Sequence, residues 1–321
     1  MSEILCKNKF VKTKMKFPTV EEFHLQFKSE IWHDVAENIC RRHEISFDSL
    51  RRAENGESVV FLVDEKFVVK IYVPTKNGLL REKTSLEIAR TNIKVPEIVG
   101  FGEIENYKYL ITTQIKGELM TRDFWLKLNK NEQLQILSEL AEGLKRLHRS
   151  DASKIDFDWN AFVAHQAENC FERQKSCAVN DKILNELPAF LEENLKFLSP
   201  DSPQVFLHGD VHFGNLRMLK CGEKWRISGL FDFADSLKGF REYDFLAVGL
   251  LMIQGQGDLQ REFFRFFDYP DAEINETMRR RLMLLTCFYE WSDLRRYAIR
   301  LRPEAVKYSL GELEQAIWNF C

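Results

Sequence analysis

The sequence has no C-x-x-C pair, no long apolar run and no excess of one charge, and each absence removes a class of protein. Its seven cysteines (Cys6, Cys40, Cys170, Cys177, Cys221, Cys287 and Cys321) are odd in number and scattered. That is the usage of free thiols in a reducing cytosol, so a cytoplasmic location is expected and neither a disulfide framework nor a structural zinc site is. Lys+Arg 46 against Asp+Glu 49 leaves a net charge of −3. No basic footprint therefore points to a nucleic acid or an anionic membrane as partner. The longest strongly apolar stretch, Phe245 to Ile253, is under half of the ~20 residues that a membrane-crossing helix needs. The lysine-dotted N-terminus (Lys7, Lys9, Lys12, Lys14, Lys16) offers only Ile4 and Leu5 where a secretory signal requires a continuous apolar run. Gly 15 and Pro 8 are too few for a collagenous or low-complexity chain. Also missing are G-x-x-x-x-G-K-[ST], G-x-G-x-x-G, H-E-x-x-H and G-x-S-x-G. Walker-type ATPases, Rossmann dehydrogenases, zincins and α/β-hydrolases lose their support together.

What remains is a chain of 321 residues, 45% apolar, long enough for one two-lobed enzyme or two ordinary domains. Residues 17 to 50 open with Phe17-Pro18-Thr19 and read as one amphipathic helix through Phe23, Phe27, Ile31 and Val35, ending near Arg41-Arg42-His43. Two β-rich runs, Val59 to Val63 and Phe67 to Val73, flank Asp64-Glu65-Lys66 and read as a hairpin. A helix from about Leu79 to Arg90 and strands around Ile98 to Glu103 and Tyr107 to Ile115 follow, and Gly117 marks a break. From residue 121 the pattern is mostly helical, with Leu134, Leu137, Leu140, Leu144 and Leu147 as a core row. One interruption stands out: Leu216 to Leu219 and Trp225 to Phe231 flank the turn at 220–224 as a second hairpin. No repeat and no Ser/Gly/Pro-rich linker is visible. The expectation is an α+β chain with a helical extension (1–50), a small antiparallel-sheet lobe (51–115) and a larger, mainly helical lobe (116–321), joined at about 113–118.

The chemistry is concentrated in Val205-Phe206-Leu207-His208-Gly209-Asp210-Val211-His212-Phe213-Gly214-Asn215 and in Gly229-Leu230-Phe231-Asp232-Phe233-Ala234-Asp235. Asn215 enters the first strand of the second hairpin and Asp232 leaves the second strand, so antiparallel pairing puts both at one end. Asp210 lies five residues before Asn215 on the connection into that end. Two carboxylates and an amide oxygen beside a hairpin mouth suit a hard cation. Magnesium takes one or two protein carboxylates and leaves its other positions to waters and phosphates. Phosphoryl transfer uses a loop Asp to accept the proton of the attacking hydroxyl, with an Asn and a second Asp on the metal, and the kinase loop has the same Asp-x-x-x-x-Asn spacing.

These residues, His-Gly-Asp-x-x-x-x-Asn followed by Leu230-Phe231-Asp232-Phe233, resemble the aminoglycoside phosphotransferase and choline kinase superfamily of small-molecule kinases. The resemblance implies a protein-kinase-like two-lobed fold, ATP or GTP as phosphoryl donor, and Mg2+. In the small lobe it implies that Lys70, on an otherwise apolar strand, is the nucleotide-positioning lysine and Glu82 its helix partner. On helical spacing Glu82 shares a face with Leu86 and Ala89, so it points inward. It further implies adenine-binding backbone groups in Thr113-Gln114-Ile115-Lys116-Gly117, with Thr113 and Ile115 the residues singled out, and a phosphate-covering loop at Asn55-Gly56-Glu57-Ser58, where Ser58 supplies a donor. Gly239, the Tyr243-Asp244-Phe245-Leu246-Ala247 run and the Leu140 to Asp151 helix match further segments. The Phe17-Pro18-Thr19-Val20 start, with Trp291-Ser292-Asp293-Leu294 through Leu310-Gly311-Glu312-Leu313, is similar to hygromycin-type members. The chain departs from the pattern in the single glycine of its phosphate loop, in Asp-Phe-Ala for Asp-Phe-Gly, and in Gly239-Phe240-Arg241 for Gly-Asp-Pro. Neither of the last two changes removes a ligand.

Plainer readings compete with several of these assignments. His208 and His212, four residues apart around Asp210, have the spacing of zinc ligands on a helix, but Gly209 and Gly214 favour a loop, in which His208 is a supporting residue. His148-Arg149-Ser150-Asp151 looks like a kinase His-Arg-Asp, yet no Asn follows at the required spacing. Lys70 alone reads equally as an edge-strand residue with its ammonium in water. Asp235 and Asp244 serve as caps or turn formers; Asp235 keeps a supporting role at the site and Asp244 a structural one. The expected activity is O-phosphorylation of a small-molecule acceptor, with Asp210 as base. Residues 150–200 carry nine acids against five Lys and Arg, which suits an aminoglycoside-like aminosugar and equally a solvated face. Kinases of choline, sugars or other metabolites share this centre, as does a nucleotide-binding pseudokinase without turnover.

Overall fold

A computed structural model describes residues 20–54, 56–74, 77–199 and 202–321. In chain order its elements begin with α1 (Val20–Gln26), α2 (Ile31–Arg42), β1 (Leu50–Arg52), β2 (Val59–Val63), β3 (Phe67–Ile71), α3 (Gly78–Ala89), β4 (Ile98–Ile104) and β5 (Tyr107–Thr113). After them come β6 (Glu118–Leu119), α4 (Arg122–Lys127), α5 (Lys130–His148), α6 (Trp159–Ser176), α7 (Asp181–Asn194), β7 (Val205–Leu207), β8 (Leu216–Cys221), β9 (Lys224–Leu230) and β10 (Leu237–Gly239). The rest is helical: α8 (Asp244–Ala247), which runs on into a π-helical turn at Val248–Ile253, then α9 (Gly257–Phe266), α10 (Glu276–Phe288), α11 (Leu294–Leu301) and α12 (Leu310–Ile317). The architecture is the kinase-like α+β fold with an antiparallel-sheet lobe. Two compact units divide the chain, one of residues up to 79 with 98–114, the other of 80–97 with 115–321.

The first unit is a sheet in the order β1-β2-β3-β5-β4, antiparallel throughout. Val59, Phe61 and Val63 alternate to one face of β2 as period-2 geometry requires, and Val69 and Ile71 do the same on β3. Against them pack Phe23, Trp32, Val35, Ala36 and Ile39 from α1 and α2. The sequence suggests one helix across this segment, but the chain breaks after Gln26, where Ser29 N–H bonds the Gln26 carbonyl and the Trp32 indole N–H takes the same oxygen at 2.8 Å. A serine whose hydroxyl accepts from the Ile31 N–H offers the backbone an alternative to the helical ladder. Phe17 to Thr19, which open the hygromycin-like pattern, lie outside the described residues.

In the second unit, Leu137, Leu140, Leu144 and Leu147 of the leucine row on α5 face the core, while Leu134 at its start is only half-buried. Asn129 and Glu132 start that helix with a reciprocal capping box. The helical run is interrupted more often than the sequence suggests. The hairpin β8–β9 is present, and β6 adds to it to give the order β6-β8-β9. A separate pair, β7 with β10, joins Val205–Leu207 to Leu237–Gly239. Both additions are strands of two or three residues, too short to carry a period.

Candidate functional site

The second hairpin places its mouth as antiparallel pairing demands. Leu216 faces Leu230, and the Phe231 N–H closes on the Asn215 carbonyl at 3.0 Å. Asn215 therefore ends the turn Phe213–Asn215 at the point where Phe231 leaves β9, and Asp232 is the next residue. Asp232 has φ +65°, a left-handed backbone that an Asp adopts more readily than most residues and that collects at functional positions.

The loop into this mouth is held from beneath. β7 ends at Leu207, and the next two backbone N–H groups, of His208 and Gly209, donate to the two carboxylate oxygens of Asp244 at 3.2 and 2.8 Å. Gly209 has φ +88°, and a Cβ there would meet the Asp235 carbonyl oxygen at 2.3 Å. Only glycine fits. His208 is fully buried, its ring 4.5 Å from that of Phe233. The Asp210 N–H donates to its Nδ1 at 3.2 Å, so Nε2 carries the proton given to the Phe231 carbonyl at 3.0 Å. His208 thus ties the Asp210 backbone to the segment before Asp232.

Three donors surround the Asp210 carboxylate. The Tyr289 hydroxyl donates to Oδ1 at 2.7 Å, His212 Nε2 lies 3.3 Å from Oδ2, and Asn215 Nδ2 stands 3.4 Å from Oδ2 and 2.9 Å from the Asp210 carbonyl. Burial opposes the charge on Asp210, but the hydrogen bonds from His212 and from the Tyr289 hydroxyl outweigh it and hold the carboxyl below its ordinary value. The same carboxylate and the buried setting push the Tyr289 phenol well up, burial being the larger cause. Because the amide nitrogen of Asn215 is bound to a carbonyl, which only accepts, Nδ2 is its donating end and Oδ1 the end able to accept.

The remaining sequence-predicted residues fall at several places. Lys70 lies on β3, opposite Val60 on one side and Leu110 on the other. β3 is an inner strand of the sheet, so the edge-residue reading of Lys70 does not hold. Ser58 directly precedes β2, and Thr113 ends β5; Asn55 of the same loop lies outside the described residues. Glu82 belongs to the second unit and is buried on α3 with Ser85, Leu86 and Ala89, the inward face that helical spacing indicates. Ile115 opens the second unit's longer segment, its side chain packed where a Cβ on Gly229 would stand. Asp235 places its carbonyl over Gly209. His208, Asp210, Asn215 and Asp232 thus gather around one hairpin mouth in the second unit, with Asp235 beside them, while Lys70 and Thr113 sit on the sheet of the first and Ser58 just before its strand β2.

Sequence reasoning passes over three residues that touch this loop or its Asp244 anchor. Tyr289 is 79 positions from Asp210 and carries no motif. His212 is weighed only as a zinc ligand, yet no group of three or more His, Cys, Asp or Glu among the described residues is arranged to hold a metal ion. His148, set aside as part of a false His-Arg-Asp, places Nε2 2.8 Å from Asp244 Oδ2. Asp151 of that tripeptide is exposed and spends both oxygens on Ser153.

The model of the phosphotransferase enzyme family matches residues 49–283. Among solved structures, the GDP complex of wild-type aminoglycoside 2'-phosphotransferase-IIIa is similar at TM-score 0.67 and 16% identity, over 91% of this chain and 99% of that one. A thermostable mutant of aminoglycoside phosphotransferase APH(4)-Ia, in ternary complex with ADP and hygromycin B, matches at TM-score 0.61 and 15% identity, covering 88% and 97%. The streptomycin-ATP-APH(2")-IIa ternary complex matches at 0.55 and 17%, covering 87% and 97%. At such identities the likeness is one of fold.

Proposed function

Because this chain belongs to the phosphotransferase enzyme family, we propose that it moves the γ-phosphoryl group of ATP or GTP to a hydroxyl of a small molecule, with Asp210 as the base. The observation that carries this reading is the Asp210 carboxylate, kept ionised on the connection into a hairpin mouth where Asn215 and Asp232 meet. The acceptor oxygen attacks the γ-phosphorus and its proton passes to Asp210. The bond from the γ-phosphorus to the bridging oxygen breaks, and the nucleoside diphosphate leaves with that electron pair. Lys70 and Glu82 are assigned to nucleotide phosphate positioning, Ser58 to the phosphate-covering loop, and Thr113 and Ile115 to the base. Asn215 Oδ1 and Asp232 are the oxygen donors for Mg2+, and the fixed amide of Asn215 fits that role. The metal supplies charge neutralisation on the transferring phosphates. His208 and Asp235 support the loop.

For the acceptor we propose an aminoglycoside-like aminosugar. The acid-rich stretch 150–200 is compatible with a cationic ligand, and structural neighbours were solved with streptomycin, hygromycin B and gentamicin. The test is nucleoside diphosphate release with Mg2+, ATP or GTP, and a panel of aminoglycosides, choline and sugars, run beside Asp210→Ala. Turnover with one acceptor class that the variant lacks is the expected result. Equal turnover in the variant excludes Asp210 as base, and silence across the panel with intact nucleotide binding removes the aminosugar assignment.

A further inference from the structure

Resting on the assignment of Asp210 as base, we propose that Tyr289 and His212 are positioning residues that lock the Asp210 carboxylate in one orientation and leave a single acceptor site, on Oδ1, for the substrate hydroxyl. A carboxylate offers about four lone-pair directions, two on each oxygen. His212 Nε2 and Asn215 Nδ2 converge on Oδ2, and Tyr289 takes one position on Oδ1. The position left over is beside the tyrosine hydroxyl, so Tyr289 selects which edge of the carboxylate meets the acceptor.

Both donors are aimed by their own neighbours. His212 accepts the Gly214 N–H on Nδ1 at 2.8 Å, so the proton of the neutral ring is on Nε2, toward Asp210. Gly214 makes that fold possible, since a Cβ on it would lie 2.6 Å from His212 Cε1. Tyr289 caps α10 with an extended backbone, φ −57° and ψ 137°. Its ring packs 5.4 Å from that of Tyr243, and the next residue, Glu290, donates its N–H to the Tyr243 hydroxyl at 3.0 Å. Tyr243 itself immediately precedes Asp244, the residue that holds the loop from beneath. The phenol is therefore fixed at both its ring and its main chain, and aligning Asp210 asks for no further ordering of it.

The test is Tyr289→Phe, which keeps the ring packing and removes only the hydroxyl, alone and combined with Asp210→Asn. The expected result is kcat lower by roughly ten- to hundredfold, the loss of one hydrogen bond to a charged group, with nucleotide affinity and melting temperature near wild type. In the Asp210→Asn background Tyr289→Phe then changes kcat by no more than about twofold, because the two act as one unit. His212→Ala follows the same pattern and His212→Gln, whose amide nitrogen reaches a similar position, restores part of the rate. A full, additive loss in the Asp210→Asn background overturns the proposal. A crystal structure of Tyr289→Phe decides the matter without any acceptor: a rotated or doubly occupied Asp210 carboxylate supports it, and an unmoved one overturns it. Absent turnover in wild type, by contrast, counts against the assignment of the reaction.

Discussion

His148 and Asp244, 96 residues apart, meet at 2.8 Å between Nε2 and Oδ2, and that one carboxylate also receives the backbone N–H groups of His208 and Gly209. The last residue of α5 thereby anchors the loop that presents Asp210, although neither His148 nor Asp244 approaches the reacting groups in any contact described above. Removing the anchor strands two buried amide donors and an imidazole. Asp244→Ala is therefore expected to cost about 3–5 kcal/mol of stability, an unmet buried donor costing about 1–3 kcal/mol. Chemical unfolding measures it, and a loss under 1 kcal/mol would show that water replaces the carboxylate.

Gly209→Ala tests the strain in the same loop. A left-handed backbone and a contact of 2.3 Å to the Asp235 carbonyl together predict a loss of about 2–4 kcal/mol. Turnover falls with it, because the shift moves Asp210. Gly143, on α5 with open space around its Cβ position, is the control: Gly143→Ala stabilises by up to about 1 kcal/mol.

The two proposed halves of the chemistry are separable by kinetics. Lys70→Ala raises the KM for nucleotide roughly ten- to hundredfold, the weight of a charged hydrogen bond. Asp210→Ala leaves nucleotide affinity near wild type and cuts kcat by about 10²-fold or more. Should both variants lose nucleotide binding alike, the assignment of Asp210 to the acceptor hydroxyl fails.

Tyr243, Tyr289, Tyr269 and Tyr297 are buried, and burial is in each the main cause that raises the phenol above its ordinary value of 10. A raised native value means that the neutral phenols add stability in full below pH 10, and that this is lost as the pH climbs toward the native values. Absorbance at 295 nm is expected to reach its full tyrosinate amplitude only well above pH 10. These four ionise later, in step with loss of helical circular dichroism. Full ionisation of these four near pH 10 would contradict their burial.

Much of this was readable because it is local. The turn at 220–224 and the apolar runs beside it mark the hairpin, and pairing alone then brings Asn215 next to the segment that ends in Asp232. The inward face of Glu82 follows from helical spacing, and Gly209 announces a tight backbone beside Asp210. What escaped reading depends on partners distant in sequence. Tyr289 reaches Asp210 only because α10 ends where it does, and β7 pairs with β10 across 29 intervening positions with strands too short to leave a pattern. The break between α1 and α2 was hidden because Phe23, Phe27 and Ile31 keep an apolar spacing across it, while Ser29 and the indole of Trp32 decide the geometry.

The contacts around Asp210 also set an order on biosynthesis. The loop draws on His148, Asp244 and Tyr289, and domains emerge from the ribosome N-terminal part first. The sheet of the first unit is complete once residue 113 has emerged, whereas Asp210 lacks its tyrosine until residue 289 is out. A nascent chain stalled near residue 270 would therefore carry Asp210, Asn215 and Asp232 with the carboxylate short of one of its three donors.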